Sequence, residues 1–428
     1  MNDFLTDDTK AVLLLCGVFG KNSTAKPLSQ TEYTSLVRWL ISVEMRPSDL
    51  LRNKDIAEAA MGAKLDKQRL ESLLGRGVQL GFAVEEWQRN GVWIISRSDI
   101  DYPARYKNHL VDKAPPLLFG VGKRSLLIGG GLAIIGSRNV DKHGEAFTRQ
   151  AAKLCSLNGI PVVSGGARGV DSFAMTASME NGGVTIGVIA ENLLKKSLER
   201  TARHAIADGR LLLVSPYHPN ARFTVGTAMA RNKLVYAMAD YGLVVNAEYK
   251  KGGTWAGATE ELRRESPRSV FVRTGNNVPQ GNFKLLELGA IPWPENIERD
   301  NLKGQLAELA KKNQKKPGPK NMALFDFVLT QESSPKTTGQ QDSVVSAPEI
   351  QPATKEPAEK QSATIYEAVL PVILKQMKSA VKSDELAKSL DVNKTQLNIW
   401  LKKAVEDEKV IKLSRPVRYQ RVEPGNHA

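Results

Sequence analysis

Residues 132–171 read LAIIGSRNVDKHGEAFTRQAAKLCSLNGIPVVSGGARGVD. The apolar run 132–135 predicts a buried strand, and Gly136-Ser137-Arg138 a tight turn after it. Phe147, Ala151, Leu154 and Cys155 then recur at i, i+4, i+7 and i+8, one apolar stripe of a helix, with Gly159 as its stop signal. Val162 and Val163 begin a second strand, followed by a glycine-bearing turn that ends in Arg168 and Asp171. Strand, helix and strand make one crossover unit of a parallel sheet, and ligands of such sheets bind beyond the carboxyl ends of the strands. Both glycine turns lie at that rim. Two arginines and two runs of backbone N–H there suit an anion, most simply a phosphate.

The same alternation continues downstream. Strands are expected at 184–189, 211–215, 243–247 and 270–272, and helices at 191–208, 227–239 and 255–265; 283–294 closes the series. Runs of Val, Leu and Ile with little polar alternation are what strands covered on both faces look like, so the expected fold is α/β, a doubly wound, mainly parallel sheet. A dinucleotide fingerprint would have to follow the first strand, but Gly129-Gly130-Gly131 precede it, and no GxxxxGK[ST] occurs. Topology brings two further segments to the same rim, 222–233 (RFTVGTAMARNK) and 250–257 (KKGGTWAG). Four strand ends would then carry positive charge: Arg138; Arg168; Arg222 with Arg231 and Lys233; Lys250 with Lys251. That suggests a track for a phosphate chain. Arg231 and Asp171 read equally well as an internal ion pair. Phe223 and Trp255 are either core residues or platforms for bases, with Trp255 the better core candidate.

The chain has 428 residues, enough for two or three domains, and 60 Lys plus Arg against 46 Asp plus Glu, a formal charge of +14. Such a balance favours an acidic partner, and nucleic acid is the leading one. The apolar run 11–19 is too short to span a bilayer, nothing resembles a signal peptide, and no membrane association is expected. Cys16 and Cys155 form no CxxC pattern and the five histidines have no ligand spacing, so we expect a reducing, cytoplasmic setting, no metal and no cofactor.

Four regions follow from the pattern. Residues 1–90 are expected to form a small helical domain, with helices at 11–19, 31–42, 55–57 and 66–80, and residues 91–298 the sheet domain, entered through strands and turns. Residues 299–363 are rich in Lys, Pro, Ser, Gln and Glu and read as a disordered linker with one apolar island at 322–329. Residues 364–424 read helix, turn, helix and hairpin, a winged helix, with Leu397, Trp400 and Leu401 inward and Lys394, Gln396, Lys402 and Lys403 outward. Such a module contacts either duplex DNA or protein.

The ordered series Gly136-Ser137-Arg138, 164–171 (SGGARGVD), 182–186 (GGVTI), Arg231-Asn232-Lys233 and Gly252-Gly253-Thr254 resembles the DNA-processing protein A family, also called DprA or Smf. Asp101-Tyr102-Pro103 and 115–119 (PPLLF) extend the resemblance over about residues 90–293. It departs at Met175, where the family commonly has His, at Ala190-Glu191-Asn192 and at Ala228-Met229, where Phe223 stands in for a missing aromatic. The resemblance implies an extended Rossmann-like domain flanked by helical and winged-helix domains. It also implies a homodimer that protects single-stranded DNA and loads a RecA-type recombinase in transformation, recombination or defence, without catalysis. The expected contacts are Gly136, Ser137, Arg138, Gly165, Gly166, Arg168, Arg222, Phe223, Arg231, Asn232, Lys233, Lys251, Gly252, Gly253 and Thr254. The alternative is a nucleotide sensor or nucleotide hydrolase of the related phosphoribohydrolase-like superfamily, with Glu260 or Glu261 as general acid or base.

Overall fold

The structure, a computed structural model, describes residues 5–19, 25–52, 55–314, 365–377, 379–390, 392, 394–414 and 417–422. Nine strands form one sheet: β1 Trp93–Ser96, β2 Leu117–Val121, β3 Leu132–Ile135, β4 Val162–Ser164, β5 Thr185–Val188, β6 Leu211–Ser215, β7 Tyr241–Val244, β8 Ser269–Val272 and β9 Ile291–Pro292. Their order is β1-β2-β6-β5-β4-β3-β7-β8-β9. From β6 to β9 every pairing is parallel, and β2 joins β6 antiparallel, as β1 joins β2. β3 thus lies between β4 and β7, with Ala133 opposite both Val163 and Gly242. The chain winds one way from β3 through β4 to β6, then crosses back to add β7, so the point of reversal stands at the end of β3.

The buried strands behave as their composition requires. Leu132 and Ile134 face a layer holding Ala151, Cys155, Val170 and Ala174, from helices Lys142–Leu157 and Val170–Glu180. Ala133 and Ile135 face the opposite layer, with Tyr106, Leu234, Met238 and Ala258, from helices Ala104–Leu110, Val225–Met238 and Gly252–Leu262. Alternate residues on one strand therefore enter different cores, the period of two expressed in packing. The helix after β3 begins at Asp141, whose carboxylate accepts the Gly144 N–H at 2.7 Å.

Several boundaries depart from the sequence expectation. The single helix expected at 66–80 is two, Lys67–Leu74 and Gly77–Arg89. Arg76 between them is buried and donates to the carbonyls of Leu14, Gly17 and Leu73, so its guanidinium satisfies the open end of helix Asp7–Cys16. The helix expected at 191–208 is also broken, into Leu193–Ser197 and Arg200–Ala207. The expected linker starts too early: helix Leu302–Gln314 occupies its beginning, with Leu302, Leu306 and Ala310 buried in one cluster with Phe271 and Trp293. Those three side chains at i, i+4 and i+8 form a narrow stripe that the surrounding Lys and Gln conceal. The remainder, 315–363, with the apolar island 322–329, lies outside the described residues.

The N-terminal helices share a core with the sheet. Trp87 meets Phe119 of β2 edge-on at 5.1 Å between ring centroids, and His218 beyond β6 at 5.4 Å. The C-terminal region has helices Ile365–Gln376, Ser383–Ser389 and Lys394–Glu406 and the hairpin Val410–Ser414 with Val417–Arg421, a winged helix. Leu397, Trp400 and Leu401 are buried, and Phe82 of the N-terminal region stacks on Trp400 with ring centroids 4.1 Å apart. Lys402 and Lys403 are exposed, whereas the side chains of Lys394 and Gln396 lie outside the described residues. Among the described residues, no helix is long and apolar enough to cross a membrane.

Candidate nucleic-acid interface

The turn after β3 is bolted to its neighbours through backbone. Ser137 N–H donates to the Asn246 carbonyl beyond β7 at 3.1 Å, and the Ser137 carbonyl accepts from Val170 N–H at 3.3 Å. Gly169, at φ 90°, presses against the carbonyls of Ser137 and Arg138, a conformation and an approach that a side chain would prevent. The turns 136–138 and 165–169 are thus one rigid unit at the point of reversal.

Its interior holds an anion already, and the anion belongs to the protein. Asp171, in the first turn of helix Val170–Glu180, is buried, and the backbone N–H groups of Gly136, Gly165 and Ala167 lie close enough to stabilise its charge. Arg231 Nη1 stands 3.6 Å from the same carboxylate and is only 4 % exposed. Burial pushes the Asp171 carboxyl up, against the pull of Arg231 and of those N–H groups, and burial pushes the Arg231 guanidinium down. A Cβ at Gly165 would overlap the Arg231 guanidinium, so that glycine is required by close approach. One expectation is corrected here and one open reading is decided. Gly136 and Gly165 face a buried carboxylate of the protein itself rather than an open anion site, and of the two readings of Arg231, rim cation or internal ion pair, the ion pair holds.

Outside this sealed pair the rim is cationic and open. Arg138, Arg168 and Arg222 are exposed, and the Arg138 guanidinium lies 4.7 Å from the centroid of Phe223, whose ring is 42 % exposed. Phe223 immediately precedes Thr224, which caps helix Val225–Met238 through a reciprocal hydroxyl arrangement with Thr227. That helix starts two residues earlier than expected and leaves Val225 and Met229 exposed on its first turns. Met229 approaches Gly253, and Asn232 Nδ2 donates to the Gly253 carbonyl at 3.1 Å. Asn232 therefore positions the neighbouring turn, and its amide is engaged.

Lys251, Gly252, Gly253 and Thr254 form the start of helix Gly252–Leu262 rather than a loop, with Lys251 and Gly252 exposed and Gly253 and Thr254 half-buried. Gly166, at φ 67°, is buried against Ile189 and Met175. Lys233 does not join the rim: its ammonium is half-buried, pushed down by that burial, and its charge neighbours are Glu260, Lys113 and Arg264. Sequence reasoning passed over Tyr249, which is 38 % exposed, packs edge-on against Trp255 at 5.1 Å and carries Lys250 Nζ 5.2 Å from its ring. Its signal was available in the run Tyr249-Lys250-Lys251, an aromatic beside two cations at a strand end. Trp255 itself packs against the sheet core, as its core reading requires.

The carboxylates proposed for hydrolysis are otherwise engaged. Glu261 is 1 % exposed and bound by His109 Nε2 at 3.0 Å, Arg264 Nε at 3.0 Å and the Arg268 N–H at 2.7 Å. Glu260 pairs with Arg264 at 3.3 Å. Glu261 has no free face for a substrate.

The fold and this edge together define a class, the extended Rossmann-like proteins whose strand-end turns are built without a nucleotide-cofactor fingerprint. Within that class residues 93–302 match the family model described as DNA recombination-mediator protein A, and the chain is similar to proteins of the DprA/Smf family. It is 29% identical over 217 residues to the DNA processing protein DprA of Bacillus subtilis, a match covering 48% of this chain and 69% of that one. With the protein Smf of Synechocystis it shares 27% identity over 233 residues, 49% of this chain and 57% of the relative's length. The X-ray structure of DNA processing protein A from Streptococcus pneumoniae superposes over 71% of this chain and 98% of that one, with a TM-score of 0.55 and 21% identity, a likeness of fold.

Proposed function

We propose that this chain binds single-stranded DNA along the carboxyl edge of its sheet, as a cytoplasmic DNA-processing protein that acts by binding rather than by catalysis. Arg138, Arg168, Arg222, Lys250 and Lys251 neutralise phosphates, and Phe223 and Tyr249 offer their faces to bases. The observation that carries the reading is the exposed Arg138 guanidinium over the half-open Phe223 ring, beside a sealed carboxylate that leaves no room for a deep ligand. A single strand exposes both phosphates and π-faces, whereas a duplex hides its faces inside the stack, so an alternation of cations and aromatics suits the single strand. The match to the family model supports the same reading. Protection of the strand, loading of a RecA-type recombinase and assembly as a homodimer belong to this proposal as family expectations, and no residue here is assigned to the recombinase.

The test is fluorescence anisotropy with labelled single-stranded and duplex oligonucleotides across a range of salt. Neutralising about four phosphates gives a log-log salt slope of roughly −3 for a single strand. Tighter binding of the single strand with a slope near that value is expected; a flat salt response or equal preference for duplex refutes the assignment to this edge.

A further inference from the structure

Away from the strand ends, the joint between the N-terminal helices and the sheet domain encloses a cavity of about 430 Å³. Its apolar wall comes from Val37, Leu40, Met45 and Pro47, and its polar side from Tyr33, Arg97 and Lys107. The acids at its edge are already neutralised. Asp8 accepts from Arg46 Nε at 2.9 Å and from the Ser48 N–H at 2.9 Å, and Asp112 is paired with Arg38. The cations between them are not: among the described residues Arg97 and Lys107 enter no ion pair, and Arg97 Nη1 is buried without a hydrogen-bond partner. The Tyr33 hydroxyl, buried beside Arg97 and Ser98, also meets no partner at hydrogen-bonding geometry. Burial holds that hydroxyl in its protonated form, so it is a donor throughout the physiological range.

Tyr33, Arg97 and Lys107 thus line one cavity whose two carboxylates are already engaged. Leaving a buried guanidinium nitrogen unmatched costs more than leaving it in water, and the cost disappears when an acceptor enters. At the mouth, Val111 adopts φ 50° and ψ −117° while 63% exposed, a conformation that a β-branched residue takes only under constraint. Size, position between two domains, an apolar wall and a few convergent polar groups are the features of a small-ligand site. We propose that this cavity binds a small organic anion, a carboxylate or phosphate head seated on Arg97, Lys107 and Tyr33 with an apolar body against Leu40 and Met45. The site is separate from the edge assigned to DNA and does not depend on that assignment.

Isothermal titration of the full chain with phenyl phosphate, 3-phenylpropionate and inorganic phosphate tests it. The first two share a body and differ in head, and the third has a head alone. At least one organic anion is expected to bind with one-to-one stoichiometry and more tightly than inorganic phosphate. Arg97→Gln and Lys107→Ala should each weaken it about tenfold, the scale of one charge-assisted hydrogen bond, with single-strand binding unchanged. Absence of heat with both organic anions, equal affinity for inorganic phosphate, or unchanged affinity in the variants overturns the proposal. Should Arg97→Gln fail to fold, Lys107→Ala decides alone, because that side chain is exposed and bears no ion pair.

Discussion

Arg138 and Arg231 face the same turn from opposite sides, and their circumstances differ in almost every respect. Arg231 is buried, aimed at Asp171 and pressed against a glycine; Arg138 is exposed, aimed at no acid and laid over an aromatic ring. The two are close enough for the charge of Arg138 to act on Arg231. Removing an internal partner leaves a carboxylate stranded in the core, whereas removing an external one leaves the core untouched. Identical side chains beside one glycine motif thus separate into one sealed in the core and one open to solvent, and burial is what separates them.

The comparison breaks most visibly at Arg231. Arg231→Met should lower unfolding stability by about 3–5 kcal/mol, because the Asp171 charge is left buried without its counter-ion. Urea unfolding measures this, and the double variant Arg231→Met with Asp171→Leu should regain most of the loss. Gly165→Ala comes next: the added methyl displaces the guanidinium and should cost about 1–3 kcal/mol by the same measurement. On the outer side, Phe223→Ala should weaken single-strand binding by about 1–3 kcal/mol for a stacked base while the melting curve hardly moves. Arg138→Ala with Arg168→Ala should make the salt slope shallower by about 1.4, the share of two phosphates, again with stability within about 0.5 kcal/mol. The smallest effect belongs to Lys233→Ala. Its ammonium faces Glu260 and Lys113, and the slope should stay where it was.

The strands of this fold were legible because burial on both faces leaves a plain mark: β3, β4 and β6 carry no charged residue, and composition alone locates them. The helix Leu302–Gln314 was not, since three buried side chains among lysines and glutamines look like solvent-facing chain until Phe271 and Trp293 provide something to pack on. For the candidate site, sequence identified the turns and gave no reading of direction. Arg231 and Lys233 are two positions apart on one helix, so they point about 200° from each other, one into the Asp171 cradle and the other towards Glu260. Which way the helix is rotated on the sheet decides their roles, and rotation is a tertiary property. Asp171 shows the same limit: the sequence left it and Arg231 open between an internal pair and a rim site, and the fold decides for the pair.

The Asp171 carboxylate also bears on the shape of what the rim can hold. A cradle filled from within leaves shallow ground above it, with nothing that must receive a terminus. A polymer laid over Phe223 and Arg138 is held by its middle, so a covalently closed circle presents as much to grip as a cut strand, and the number of free ends in a sample ceases to matter.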